Sequence, residues 1–236
     1  MPLLGVVPTR RRVVGSACVA LLSFLVPRDV GAQRSCPRRS WAAELLTGSA
    51  WSLPLPVTVD ARGKRWRTLA HYTTRPWADA PYYSYRVARN GVSGAGAELE
   101  MIHHKLYMEN PSPPIERLEV THGYNLPTAN VTGPGDGWQW RFGLGLVVAH
   151  PEGRVAGREI GGASTALGGG YHIAGLTMQV AVGRRYPLGR GQTTLTAAPE
   201  VKLSASWARF VTDSVTLRVP NVALHALAGL GVRDCR

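Results

Sequence analysis

After Val26 the chain has no hydrophobic run long enough to cross a bilayer as a helix, so any membrane insertion must use strands. Cysteine is scarce. There are three, Cys18, Cys36 and Cys235, with no CxxC pair, which leaves a zinc or redox centre without cysteine support. Neither HExxH nor GxSxG occurs, and "GGAST" at Gly161 sits in a long glycine-rich connection. "GLGLVV" at Gly143 lacks the third glycine of a dinucleotide loop and falls inside an alternating segment. No paired-carboxylate constellation stands out, since Glu98 and Glu100 share one charge-balanced face. The chain therefore implies no cofactor and no metal. No lysine-rich, aromatic-interleaved stretch points to nucleic acid. Helical periodicity is also lacking, with "SWAAELLTG" at Ser40 the one segment that hints at it.

What the chain does have begins with an export signal. A basic start at Arg10, Arg11 and Arg12 precedes an apolar run from Val13 to Val26, and Val30 and Ala32 fit a small-residue cleavage site. Residues 1–32 read as a secretory signal peptide, 33–49 as an N-terminal periplasmic segment and 50–236 as the folded domain. The run is shorter than the roughly 20 residues of a spanning helix. Loss of residues 1–32 removes four arginines and one aspartate, which takes the formal charge from +12 to +9. A basic exported protein has natural anionic partners in a membrane surface or lipopolysaccharide. An oxidising compartment also allows Cys36 and Cys235 to pair, one near each end of the mature chain.

Period-two alternation recurs along the domain. In "WQWRFGLGLVVAH", Trp138, Trp140, Phe142, Leu144, Leu146 and Val148 share one face of a strand, against Gln139, Arg141, Gly143 and Gly145. Similar segments begin near residues 82, 97, 116, 176, 200 and 221. "WSLPLPVTV" at Trp51 carries two prolines, which place it near an edge or rim. The polar faces collect Arg86, Glu98, Glu100, Arg117, Glu119, Arg141, Glu200 and Lys202, four acids and four bases, with Gln139 and His225 beside them. A near-neutral set of opposite charges suits an enclosed polar lumen, and smooth apolar faces suit lipid.

The connections separate by side. Those at Asn110, Pro151 and Val211 alternate with those at Thr128 and Pro187, and the two longer ones fall together, as expected of extracellular loops. Six strands start near residues 97, 116, 138, 171, 192 and 221, and two more come from residues 50–90. Both termini in the periplasm require an even number, so eight strands are expected, with ten as the alternative.

These features resemble a small bacterial outer-membrane β-barrel of the OmpA/OmpX type over roughly residues 50–232. The resemblance implies an all-β antiparallel transmembrane barrel located in the outer membrane. Ten luminal residues follow from that reading: Arg86, Glu98, Glu100, Arg117, Glu119, Gln139, Arg141, Glu200, Lys202 and His225. They fill a narrow, plugged interior. A hairpin turn around Ser112-Pro113 sets His103 opposite His122 and Lys105 opposite Val120 on the outer wall, where His103, Lys105 and His122 contact lipid headgroups. Adjacent His103 and His104 face opposite sides and cannot share one metal.

Three functional readings remain open. The first is a non-enzymatic barrel with a structural or surface-interaction role. The second is a lipid A-modifying barrel enzyme, which needs a hydroxyl beside a histidine on the outer wall. The third is a soluble exported β-barrel with inward apolar faces that bind a small ligand.

Overall fold

The computed structural model describes residues 39–134, 138–161, 169–212 and 215–235. The expected signal peptide and Cys36 lie outside the described residues. Cys235 is disulfide-bonded.

Every described element is a strand. In chain order they are β1 (Ser40–Ser52), β2 (Leu55–Ala61), β3 (Lys64–Ala70), β4 (Tyr72–Thr73), β5 (Tyr83–Asn90), β6 (Gly96–Met108), β7 (Ile115–Pro134) and β8 (Gln139–Ala149). They continue as β9 (Glu152–Val155), β10 (Arg158–Ile160), β11 (His172–Gly183), β12 (Tyr186–Pro187), β13 (Thr193–Ala197), β14 (Glu200–Thr212) and β15 (Val215–Asp234). Eight of them form a closed antiparallel ring, β1-β5-β6-β7-β8-β11-β14-β15, with β15 returning to β1. Closure leaves the ring without a free edge. The expected eight-stranded antiparallel barrel is what the structure contains.

The ring has two unlike ends. At the turn end lie the start of β1, the end of β15 and the connections β5–β6, β7–β8 and β11–β14. The loop end carries the β2–β3 hairpin, the connection at Asn110, the β9–β10 hairpin and the junction after Thr212. The connections at Asn110, Pro151 and Val211 share this end, as the alternation implied.

The domain boundary at residue 50 needs correction. β1 begins at Ser40 and pairs with both β5 and β15, so much of the segment assigned to 33–49 belongs to the ring. "SWAAELLTG" is strand, not helix. Its outward positions, Trp41, Ala43, Leu45 and Thr47, alternate with inward Ala42, Glu44 and Leu46. The proline-rich stretch behaves as expected. β1 ends at Ser52, the chain breaks at Leu53-Pro54, and β2 turns Val57 and Val59 inward.

Inside and outside exchange character along the barrel axis. In the turn-end half the outer face is apolar and exposed, with Leu45, Val87, Leu99, Val131, Leu144, Val180, Leu203 and Leu230. The interior there is charged. In the loop-end half the interior is an apolar core of residues such as Leu106, Leu118, Val120, Phe210, Leu217 and Val219, joined by Val57 and Val59 of β2. The outer face there is polar, with Arg209, Thr216 and Arg218. Trp41 and Trp140 mark one border of the apolar belt, and Trp51 and Trp207 mark the other.

This exchange explains a second correction. Leu118, Val120, Tyr124 and Leu126 point inward, while Arg117 and Glu119 lie outside the lumen. Arg117 instead faces Glu119 at 3.6 Å and Glu159 at 3.9 Å, with its side chain 52% exposed.

Candidate functional site

Two sites follow from this architecture, one inside the ring and one on its wall. The inner site is a charge network at the turn-end half. β1, β6 and β14 supply Glu44, Glu98, Glu100 and Glu200, while β5, β8, β14 and the residue pair after β11 supply Arg86, Arg141, Lys202 and Arg185. The set is four against four, so the enclosed charge sums to zero. Arg86 is its hub. It donates to Glu44 and to Glu200 at 2.7 Å, and it lies 3.7 Å from both Glu98 and Glu100. Arg141 donates to Glu98 at 3.2 Å and to Glu200. Lys202 donates to Glu100, and Arg185 donates to Glu44. Neutral amides extend the network. Asn130 reaches Glu98 at 2.9 Å, Gln179 reaches Glu100 at 2.7 Å, and Gln139 accepts from Arg141 at 2.8 Å.

Eight of the ten expected luminal residues are therefore inside: Arg86, Glu98, Glu100, Gln139, Arg141, Glu200, Lys202 and His225. Arg117 and Glu119 are not, and Arg185 with Glu44 takes the place of that acid–base pair. The charge balance inferred from the sequence survives with different members. Glu44 was concealed by the helical reading of its segment, and the Trp41-to-Trp51 alternation is the signal that could have found it. Arg185 sits just past the end of β11, where alternation gives no signal.

Above the network His225 bridges two hydroxyl groups. Its Nδ1 lies 2.6 Å from the Tyr82 Oη and its Nε2 lies 2.7 Å from the Ser204 Oγ. His104 stands edge-on to Tyr82, Tyr124 and His225, with centroids 5.3–6.3 Å apart. Ser204 and His225 have the contact that nucleophilic catalysis asks for. Both are fully buried, so a substrate has no approach to them.

The outer site is a groove of about 350 Å³ lined by Tyr83, Met101, His103, His122, Asn125, Pro127, Val148 and Tyr171. It lies at the loop-end border of the apolar belt. His103 forms part of its floor, stacked on Tyr83 with centroids 4.9 Å apart and its Nδ1 2.9 Å from the Asn125 Oδ1. The groove's hydroxyl groups are the phenols of Tyr83 and Tyr171, and no serine lines it.

The expected pairing on this wall is shifted. His103 is opposite Asn125 and Met101 is opposite Pro127, so the predicted His103–His122 register is off by three residues below a bulge. The bulge sits between His104 and Leu106 on β6, where β7 carries extra residues around Gly123. Gly123 has φ of +112°, a conformation that a Cβ strongly disfavours. The bulge carries His122 back towards the groove, so His103 and His122 meet there despite the wrong register. Lys105 does not join them. It is fully buried, and its Nζ donates to the Ala78 carbonyl under the β4–β5 connection.

At the groove's rim His122 Nδ1 lies 2.6 Å from Glu152 Oε1. His150 Nε2 lies 3.7 Å from the same oxygen.

No known protein-family profile and no curated protein matches the chain. Among solved structures it is similar to the outer membrane protein OprG from Pseudomonas aeruginosa, at 11% identity and TM-score 0.47, over 85% of this chain and 98% of that one. It is also similar to Neisserial surface protein A, at 9% identity and TM-score 0.36 over 84% and 97% of the two chains. A third similarity is to Ail, the attachment invasion locus protein of Yersinia pestis, at 11% identity and TM-score 0.35 over 84% and 98%.

Proposed function

We propose that this protein is an outer-membrane β-barrel with a structural or surface-interaction role, a plugged polar lumen and a lipid-contacting groove on its outer rim. The observation that carries the reading is the exposed apolar belt around a closed ring. A belt of this extent is untenable in water, and no second sheet or helix covers it among the described residues. Its height supports the same reading. Trp41 and Trp51 are ten residues apart on β1. At about 3.4 Å per residue and a tilt of about 40°, they are separated by about 26 Å along the axis, against about 25 Å for the apolar band of an outer-membrane barrel. The tryptophans then occupy the two interfaces. The loop-end half projects beyond the bilayer, which is why its pattern is that of a water-soluble barrel.

The plug follows from the network and from the apolar core stacked above it. An eight-stranded interior is only wide enough for side chains. In the groove, His103, His122 and Asn125 offer polar contacts at headgroup level, and Met101, Pro127 and Val148 offer acyl-chain contacts below. The ligand is an outer-leaflet lipid, with lipopolysaccharide the abundant anionic candidate.

Membrane fractionation with a heat-modifiability gel tests the barrel. Outer-membrane recovery with separate folded and boiled bands supports it, and recovery as a soluble periplasmic protein refutes it. The groove has its own test. His103→Leu with His122→Leu is expected to lower lipopolysaccharide co-purification at unchanged heat modifiability, and unchanged co-purification removes the lipid role.

A further inference from the structure

We infer that His122, His150 and Glu152 form a binding site for a zinc-like divalent ion at the loop end of the barrel. Their three candidate ligand atoms all lie within 4.8 Å of one another. The two imidazole rings face each other with centroids 5.2 Å apart and planes inclined by 32°.

The backbone brings these residues together through an irregularity. Tyr124 pairs with Ala149 and Glu119 pairs with Glu152, so four β7 residues face only His150 and Pro151 on the opposite chain. The surplus residues loop out at Gly123 and bring His122 beside His150. The cluster is held from behind as well. Tyr171 donates from its Oη to the His122 carbonyl at 2.8 Å, and its ring meets the His150 ring edge-on at 5.5 Å. Gly170 has φ of +78°, and a Cβ placed there would lie 2.8 Å from His150 Cε1. The His150 imidazole thus rests directly on the backbone.

The donor set selects the ion. Two imidazoles and one carboxylate suit zinc and its neighbours, whereas calcium and magnesium take oxygen ligands. Zinc bonds of about 2.0–2.1 Å at tetrahedral angles place ligand atoms about 3.3 Å apart. The 3.7 Å contact is close to that spacing. The 2.6 Å contact has to open as the ion replaces the hydrogen bond. His122 can swing to allow this, because its side chain is 62% exposed. Three protein ligands leave a fourth position for water or an exogenous donor.

Calorimetric titration of zinc chloride into the untagged, chelator-treated protein in detergent micelles tests the assignment. Loss of a single outer-shell partner weakens a metal site by about 10–100-fold, so losing two direct ligands costs at least that much. We expect one zinc per chain and about 100-fold weaker binding, or none, in His122→Ala/His150→Ala. Glu152→Gln is expected to weaken binding by about tenfold while keeping a hydrogen-bonding side chain. Cobalt in place of zinc is expected to give the visible absorption of a four-coordinate site. Absence of zinc binding in the parent protein overturns the assignment. So does binding within twofold of the parent in a doubly substituted protein that keeps its heat-modifiable band. Micelles without lipopolysaccharide make this result independent of the lipid reading of the groove.

Discussion

Replacing Arg86 by methionine tests whether the lumen is sealed. Arg86 is fully buried and bonded to Glu44 and Glu200, so its loss leaves the enclosed network one negative charge in excess. Removing one partner of a buried ion pair costs about 3–5 kcal/mol. Arg86→Met is therefore expected to destabilise the barrel by about that amount in urea unfolding followed by tryptophan fluorescence in lipid vesicles. The companion variant decides the matter. Arg86→Met with Glu200→Gln restores neutrality, and the remaining ions fall into three intact pairs: Glu44 with Arg185, Glu98 with Arg141 and Glu100 with Lys202. The double variant is expected to recover a large part of the loss. Independent sites add to within about 0.5 kcal/mol, whereas coupled ones deviate by about 0.5–3 kcal/mol. A coupling near the upper end is expected here. Additivity within about 0.5 kcal/mol would refute the reasoning, because water in a wet lumen would then be screening these charges.

Other consequences can be measured directly. In planar bilayers the protein is expected to give no stable nanosiemens-scale steps, and their appearance would contradict the plug. Leu144→Arg, in the apolar belt, is expected to cost about 2–4 kcal/mol in lipid, against about 0–1 for Val211→Arg beyond Trp207; equal costs would misplace the belt. Asp60 sits in the β2–β3 hairpin, where hydrogen bonds first from Arg65 and then from Arg218 hold its carboxyl below the usual 3.8. A lowered folded value means this contribution is complete above about pH 3.8 and disappears as pH falls through the folded value. Asp60→Asn is expected to reproduce that loss at neutral pH, as faster tryptic cleavage at Arg62 and Lys64, and unchanged cleavage would show that the pair does not hold the hairpin.

Period-two patterning carried the strand count, the separation of loop end from turn end and most of the lumen. It failed where one assumption broke, that the apolar face of a strand is its outer face over its whole length. β7 has 20 residues, more than the bilayer needs. Its first half lies in the water-exposed zone, where Leu118 and Val120 fill a core and Arg117 and Glu119 meet solvent. The crossing shows in the sequence only as a change of phase around Pro127, where the apolar positions pass from Leu118, Val120, Tyr124 and Leu126 to Ala129 and Val131. The register of His103 failed for a related reason. A hairpin turn fixes pairing only as far as the first bulge, and Gly123 lies between the turn and His103. Glu152 and His150 escaped notice because a site made across a bulge has no sequence spacing to recognise.

The two zones also constrain where this protein can act. Inside the ring, ions are matched one to one and the aromatic and apolar layers above leave the Ser204–His225 pair out of reach. With the lumen plugged as proposed, chemistry or recognition falls to the wall and the loop end. On the wall the belt offers lipid a smooth aliphatic surface, which carries no specificity. Specific contacts become possible at the border where outward residues turn polar, and both the groove and the His122–His150–Glu152 cluster lie there. The β7 bulge creates that concentration of histidines, because a regular ladder would have kept His122 and His150 apart. Straightening β7 by deleting Thr121 and Gly123, which keeps His122, is accordingly expected to preserve the ring and its heat-modifiable band while abolishing zinc binding. Loss of the barrel itself would show instead that the bulge is required for closure, and the histidine cluster would then be a by-product of the fold.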